Sequence, residues 1–251
     1  MYKHHAESIE NMISHYRENK AIIALFLIGS VATGTERPDS DIDGVAIVSK
    51  NYYEQKKNNE GLEEVYYGKC TYEGGYFNIH YMSHKILKEI AENGTEPMRN
   101  MFFCAKPLFC DDPSLPQLTA KIPVFAKINV VQKQFKFYCM LRMLYNYYWK
   151  TCKPQWHSRV HAMDSIIYSV YRLILLENKI LFPSMRKLEE YVERAPNKPE
   201  DIINKCRRFM QTLSDDDCIS IVESYESWTS YDYPKDHNVF MNNFTDPFEL
   251  Y

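Results

Sequence analysis

The chain lacks any apolar run long enough to cross a bilayer. Its longest, Ala21 to Ile28, stops far short of the roughly 18–20 residues a span requires. No basic stretch followed by an apolar one opens it, so no secretory signal is expected. Neither charge dominates: 30 Lys+Arg face 33 Asp+Glu, for a formal net charge of −3. That balance argues against a dedicated nucleic-acid binder, which is usually clearly basic, and equally against an acidic disordered chain. The 7 cysteines are odd in number, scattered and without a C-x-x-C pair. They read as reduced thiols of a cytoplasmic protein, not as a disulfide framework or a zinc site. Internal repeats and low-complexity tracts are missing too. What is there, in 251 residues, is 45% hydrophobic, 14% aromatic and 25% charged, the profile of a globular protein with one large domain or two modest ones.

The two halves differ in texture. Residues 4–18 place Ile9, Met12, Ile13 and Tyr16 at helical spacing. Ala21–Ile28, ended by Gly29-Ser30, has the pattern of a buried strand, and Val45–Val48 gives a second one beyond a turn-rich segment at Thr35–Ser40. Two further β-rich runs, Leu62–Cys70 and Tyr76–Met82, flank the turn residues Tyr72-Glu73-Gly74-Gly75, and Ser83 is placed to cap a helix running to about Glu92. After Pro116 helical spacing takes over, in Val130–Trp149, Arg159–Asn178, Ser184–Glu193 and Pro199–Leu213. These patterns predict an α+β domain with a small mixed sheet over residues 1–115, then an all-helical bundle over 116–251.

The chemistry is concentrated in residues 27–48, where spacing separates three motifs. A phosphate P-loop needs Lys and Ser/Thr after its second glycine, but Gly29 and Gly34 are followed by Thr35 and Glu36. A calcium loop needs a bidentate Glu at its twelfth position; Asp39, Asp41, Asp43 and Gly44 match the front of one, but the twelfth residue is Lys50. What remains is a strand, a Gly-Ser turn, a short helical turn and Asp-x-Asp at the start of a second strand. Positions i and i+2 of a strand share a face, so Asp41 and Asp43 present their carboxylates together, as hard oxygen ligands suited to Mg²⁺ with substrate phosphates. The Gly29-Ser30 turn adds backbone N–H groups and a hydroxyl where a phosphate chain is favoured.

Gly29-Ser30 followed by Ser40-Asp41-Ile42-Asp43 resembles the signature of the polymerase-β-like nucleotidyltransferase superfamily, which includes the aminoglycoside nucleotidyltransferases. Leu181-Phe182-Pro183 and Val192 to Glu200 resemble the helical C-terminal domain of uncharacterised bacterial two-domain members. The resemblance implies transfer of a nucleoside monophosphate, AMP from ATP above others, to a hydroxyl of a small-molecule acceptor. It implies Mg²⁺ on Asp41 and Asp43, nucleotide contacts from Gly29, Ser30, Thr33, Arg37 and Ser40, and acceptor binding by the helical domain, with Arg186 as a substrate contact. A protein side chain is the alternative acceptor, as when an antitoxin modifies its toxin. Neither a stable nucleic-acid partner nor a membrane is expected, and the chain is expected as a monomer or homodimer.

The superfamily usually carries a third acid on a later strand. Here that position falls on Asn78, which can neither carry the charge nor take a proton. Either the site works with two carboxylates, or His80 on the same strand face serves as base, or the domain binds nucleotide without turnover as a regulatory module; Glu73, in the turn, is a weaker substitute. His157 and His161 share a helix face, but no third ligand completes a metal site. Tyr145, Tyr147, Tyr148 and Trp149 are expected as helix packing, and Lys205, Arg207 and Arg208 as a solvated helix face.

Overall fold

The computed structural model describes residues 1–125, 130–151 and 155–244. It divides into two compact units, Met1–Val124 and Phe125–Tyr251.

In the first unit the elements run α1 (Lys3–Arg17), β1 (Ile22–Leu27), α2 (Gly29–Thr33), β2 (Ile42–Val48), α3 (Lys50–Asn59), β3 (Glu63–Tyr67), β4 (Tyr76–Ser83), α4 (His84–Asn93), α5 (Glu96–Met101), β5 (Lys106–Cys110) and α6 (Leu115–Lys121). The strands form one mixed sheet of order β3-β4-β2-β1-β5. Only β2 and β4 run parallel, with Ile42 opposite Phe77 and Asp43 opposite Asn78. Both faces of the sheet are covered, which is why β1 is apolar throughout. On one face Leu25, Leu27, Ile42, Ala46, Phe77 and Ile79 pack with Ile9, Met12 and Tyr16 of α1. On the other, Ala24, Phe26, Val45 and Ile47 pack with Leu87, Ile90, Phe102, Leu115 and Ile122. The Ser83 hydroxyl caps α4 by accepting from the Ile86 amide.

The unit extends past residue 115 to Val124. Leu115 and Ile122 are fully buried in the second face of the sheet, so α6 closes this core instead of opening the next. Arg99 fastens the same corner: its guanidinium donates to the carbonyls of Ala91, Glu92, Gly94 and Ile122 at 3.0–3.1 Å.

The second unit is helical: α7 (Val130–Met143), a π-helical turn (Leu144–Trp149), α8 (Trp156–Glu177), a 3₁₀ turn (Met185–Lys187), α9 (Leu188–Arg194), α10 (Ile202–Thr212), α11 (Asp215–Trp228) and α12 (His237–Asn243). Where helical spacing alone predicts one helix over 130–149, the last six residues widen into the π-turn, which carries the bulky Trp149 into the core against Phe209, ring centroids 4.8 Å apart. The basic residues of α10 lie on a solvated face, where the exposed Arg207 and Arg208 are also ion-paired. Arg207 grips Glu189 of α9 at 2.7 and 3.0 Å, and Arg208 reaches Asp217 of α11 at 2.5 Å.

Candidate active site

At the end of β1 the chain enters Gly29 with φ +71°, a left-handed backbone that glycine adopts without strain. Glycine is required for a second reason. A Cβ built at residue 29 would stand 2.1 Å from Asp43 Oδ2, so the Asp43 carboxylate rests directly against the Gly29 backbone. The Ile28 amide donates to the Asp43 carbonyl at 3.0 Å and closes the same junction. Turn and acid therefore form one surface.

α2 is a single turn of five residues, so what it offers a phosphate is its first N–H groups, not the dipole of a long helix. Ser30 is half-buried at that end. The Thr33 hydroxyl is occupied within the turn by the carbonyls of Gly29 and Ser30 at 3.2 and 3.0 Å. Arg37 is largely exposed and turned to Asp39 at 3.1 Å. Ser40 is buried, and its hydroxyl accepts from the Arg37 amide at 2.9 Å, holding the loop that delivers the acids.

Asp41 lies one residue before β2 begins and so is not held by the strand ladder. Its position comes from side chains that spacing does not reveal. The Tyr72 hydroxyl donates to the Ser40 carbonyl at 2.5 Å, and His4 Nε2 donates to the Pro38 carbonyl at 2.9 Å. Thr71 ties α1 to the same corner through Ser8 and the His4 carbonyl. Tyr76, on β4, faces the pair: hydrogen bonding with Asp41 and that carboxylate's charge raise its phenol above the ordinary value. Asp41 and Asp43 are both half-buried.

Parallel pairing sets Asn78 beside Asp43. Its Oδ1 is buried with no partner among the described residues. His80 follows two positions along the same face, half-buried and opposite Glu63 of β3. Glu73 is exposed in the β3–β4 connection. Arg186 belongs to the second unit, exposed on its 3₁₀ turn. The first unit thus gathers Gly29, Ser30, Asp41, Asp43 and Asn78. It leaves the Thr33 hydroxyl and the Arg37 guanidinium engaged with near neighbours in sequence. Among the described residues no cluster of three or more His, Cys, Asp or Glu could hold a metal, as follows when the third position is an amide. Two carboxylates with an orphaned amide oxygen are still a hard-oxygen set of the kind Mg²⁺ takes, so the residues fit such an ion.

Residues 10–96 match the family described as polymerase beta, nucleotidyltransferase. Among solved structures the chain is similar to a nucleotidyltransferase-like protein from Exiguobacterium sibiricum. That likeness has a TM-score of 0.45 and 12% identity, covering 88% of this chain and 74% of that one. No curated protein matches the chain.

Proposed function

We propose that the protein is a Mg²⁺-dependent nucleotidyltransferase that moves AMP from ATP to a hydroxyl of a small-molecule acceptor. The observation that carries this reading is the contact between the Asp43 carboxylate and the Gly29 backbone, because it joins acids and phosphate-binding turn in one surface. Asp41 and Asp43 would hold Mg²⁺, with Asn78 Oδ1 as a neutral oxygen beside them; bound there, the ion supplies charge neutralisation for a triphosphate. The Gly29–Val31 amides and the Ser30 hydroxyl hold the phosphate chain from the other side. His80 is the base on the acceptor side, since Asn78 cannot take a proton. The helical unit contributes acceptor contacts, with Arg186 among them.

Asn78 also favours a second reading, in which the domain binds nucleotide and regulates a partner without turnover. One experiment separates them. The protein is incubated with labelled ATP, Mg²⁺ and a panel of hydroxyl-bearing metabolites, and pyrophosphate is followed. An enzyme releases it, and Asp43→Asn lowers release about 10²–10³-fold with the fold intact. ATP binding without pyrophosphate selects the regulatory reading. Release unaffected by Asp43→Asn sinks the assignment of the acid pair.

A further inference from the structure

Within the helical unit, a cavity of about 460 Å³ opens between α7, α11 and the segment that follows α11. Its size lies in the range of small-molecule sites. At its floor, one carboxylate oxygen of Glu226 accepts two hydrogen bonds, from the Tyr138 hydroxyl at 2.8 Å and from Arg142 Nη1 at 2.9 Å. The pairing fixes the carboxylate and leaves its second oxygen without a partner among the described residues. Arg142 keeps an unpartnered, buried Nε beside it. The floor presents the Glu226 carboxylate beside the Arg142 guanidinium, each still partly exposed and held by the other.

The wall is preformed although it has no regular secondary structure. The Thr229 hydroxyl donates to Glu177 at 2.7 Å, the Tyr225 hydroxyl bonds that same oxygen and lies 3.0 Å from the Tyr233 hydroxyl, and the Tyr233 ring stacks on Tyr138 at 3.9 Å. Tyr231 stacks on Tyr233 at 5.7 Å and remains 38% exposed, so an aromatic face is left over. The lining charges cancel, Arg142 and Lys235 against Glu226 and Asp232. A balanced lining does not select a polycation or a polyanion.

We propose that this cavity binds a neutral polyhydroxylated ring, a hexose or a cyclitol. Its C–H face lies on Tyr231, and vicinal hydroxyls donate to Glu226 and accept from Arg142. The inference does not depend on the acid pair of the first unit.

The test is saturation-transfer NMR on the full-length protein with four neutral probes: methyl α-D-glucopyranoside, methyl α-D-galactopyranoside, methyl α-D-mannopyranoside and myo-inositol. At least one is expected to receive saturation on its ring protons. Glu226→Gln should weaken that probe about ten-fold or more, because a charged hydrogen-bond acceptor is lost. Tyr231→Ala, an exposed position that spares the fold, should weaken it as well, while Asp43→Asn leaves it unchanged. Transfer to none of the four probes overturns the proposal, as does binding indifferent to both cavity variants. Binding lost in Asp43→Asn but kept in Tyr231→Ala also overturns it, by moving the ligand to the first unit. Failure of the nucleotidyl transfer reading would leave every one of these outcomes readable.

Discussion

Gly29 carries two constraints that can be separated by experiment. Any side chain there pays for φ +71°, about 1–2 kcal/mol for an L-residue, and must also displace the Asp43 carboxylate. Gly34 has nearly the same backbone, φ +74°, but open space where its Cβ would go. Gly29→Ala should therefore lower pyrophosphate release about as far as Asp43→Asn, whereas Gly34→Ala should cost similar stability and keep turnover. Melting temperatures and initial rates for the two variants check this. His5 makes a second point at the same scale. It is fully buried against His4 and Tyr72, with ring centroids 4.4 and 5.0 Å away. Burial first, then the neighbouring His4, lowers its pKa from 6.5, with Glu36 acting in the opposite sense. The unfolded chain then binds the extra proton, so stability is full above pH 6.5 and is lost as the pH falls from there toward the lowered folded value. Melting curves at pH 7.5 and 5.5 should differ less for His5→Leu than for the unaltered protein.

At the scale of elements, one polar cluster joins α1, α3, β3 and β4. Glu64 accepts from the hydroxyls of Tyr16 and Tyr81 at 2.9 and 3.0 Å and from the buried Lys56 ammonium at 3.0 Å. Burial alone would raise the Glu64 pKa, but these bonds hold it below 4.5, so its contribution is present above that pH and is lost as the pH falls through the lowered value. Glu64→Gln should cost about 2–3 kcal/mol in urea unfolding at pH 7, less than a fully buried pair because the carboxylate keeps some water, and should flatten the acid limb below pH 4.5. This cluster also explains why α3 is not legible as a helix. Lys50–Asn59 is almost wholly polar, and it docks partly through Lys56, whose burial no apolar stripe announces. By contrast β1 and the Gly29-Ser30 turn are legible, because a strand covered on both faces must be apolar and must end in a residue that can turn. The acid pair is legible from its spacing. Its supports are not, since Tyr72, Tyr76 and His4 fit no motif and meet Asp41 or its loop only through the fold.

For the whole molecule, each unit encloses its own core, and the place where the first one ends is set by packing that a change in sequence texture does not mark. The strand-like patterning fades near residue 115, yet Leu115 and Ile122 are buried under the sheet and Arg99 draws on the Ile122 carbonyl. A fragment of residues 1–124 keeps α6 and that carbonyl. A fragment of residues 1–115 loses both, leaving a gap in the apolar face where Ile122 packed and a donor of the buried guanidinium unsatisfied. An unpartnered buried charged donor costs roughly 1–3 kcal/mol and the lost Ile122 side chain about 2 more, against a typical total of about 5–15 kcal/mol. The longer fragment is expected to unfold in one cooperative transition by circular dichroism. The shorter one should melt at a lower temperature, less cooperatively, and bind a hydrophobic dye, because the second face of the sheet then lacks Ile122 and Arg99 lacks a carbonyl partner. Equal cooperativity in both would place the end of the unit before α6 and remove that helix from the support of the site.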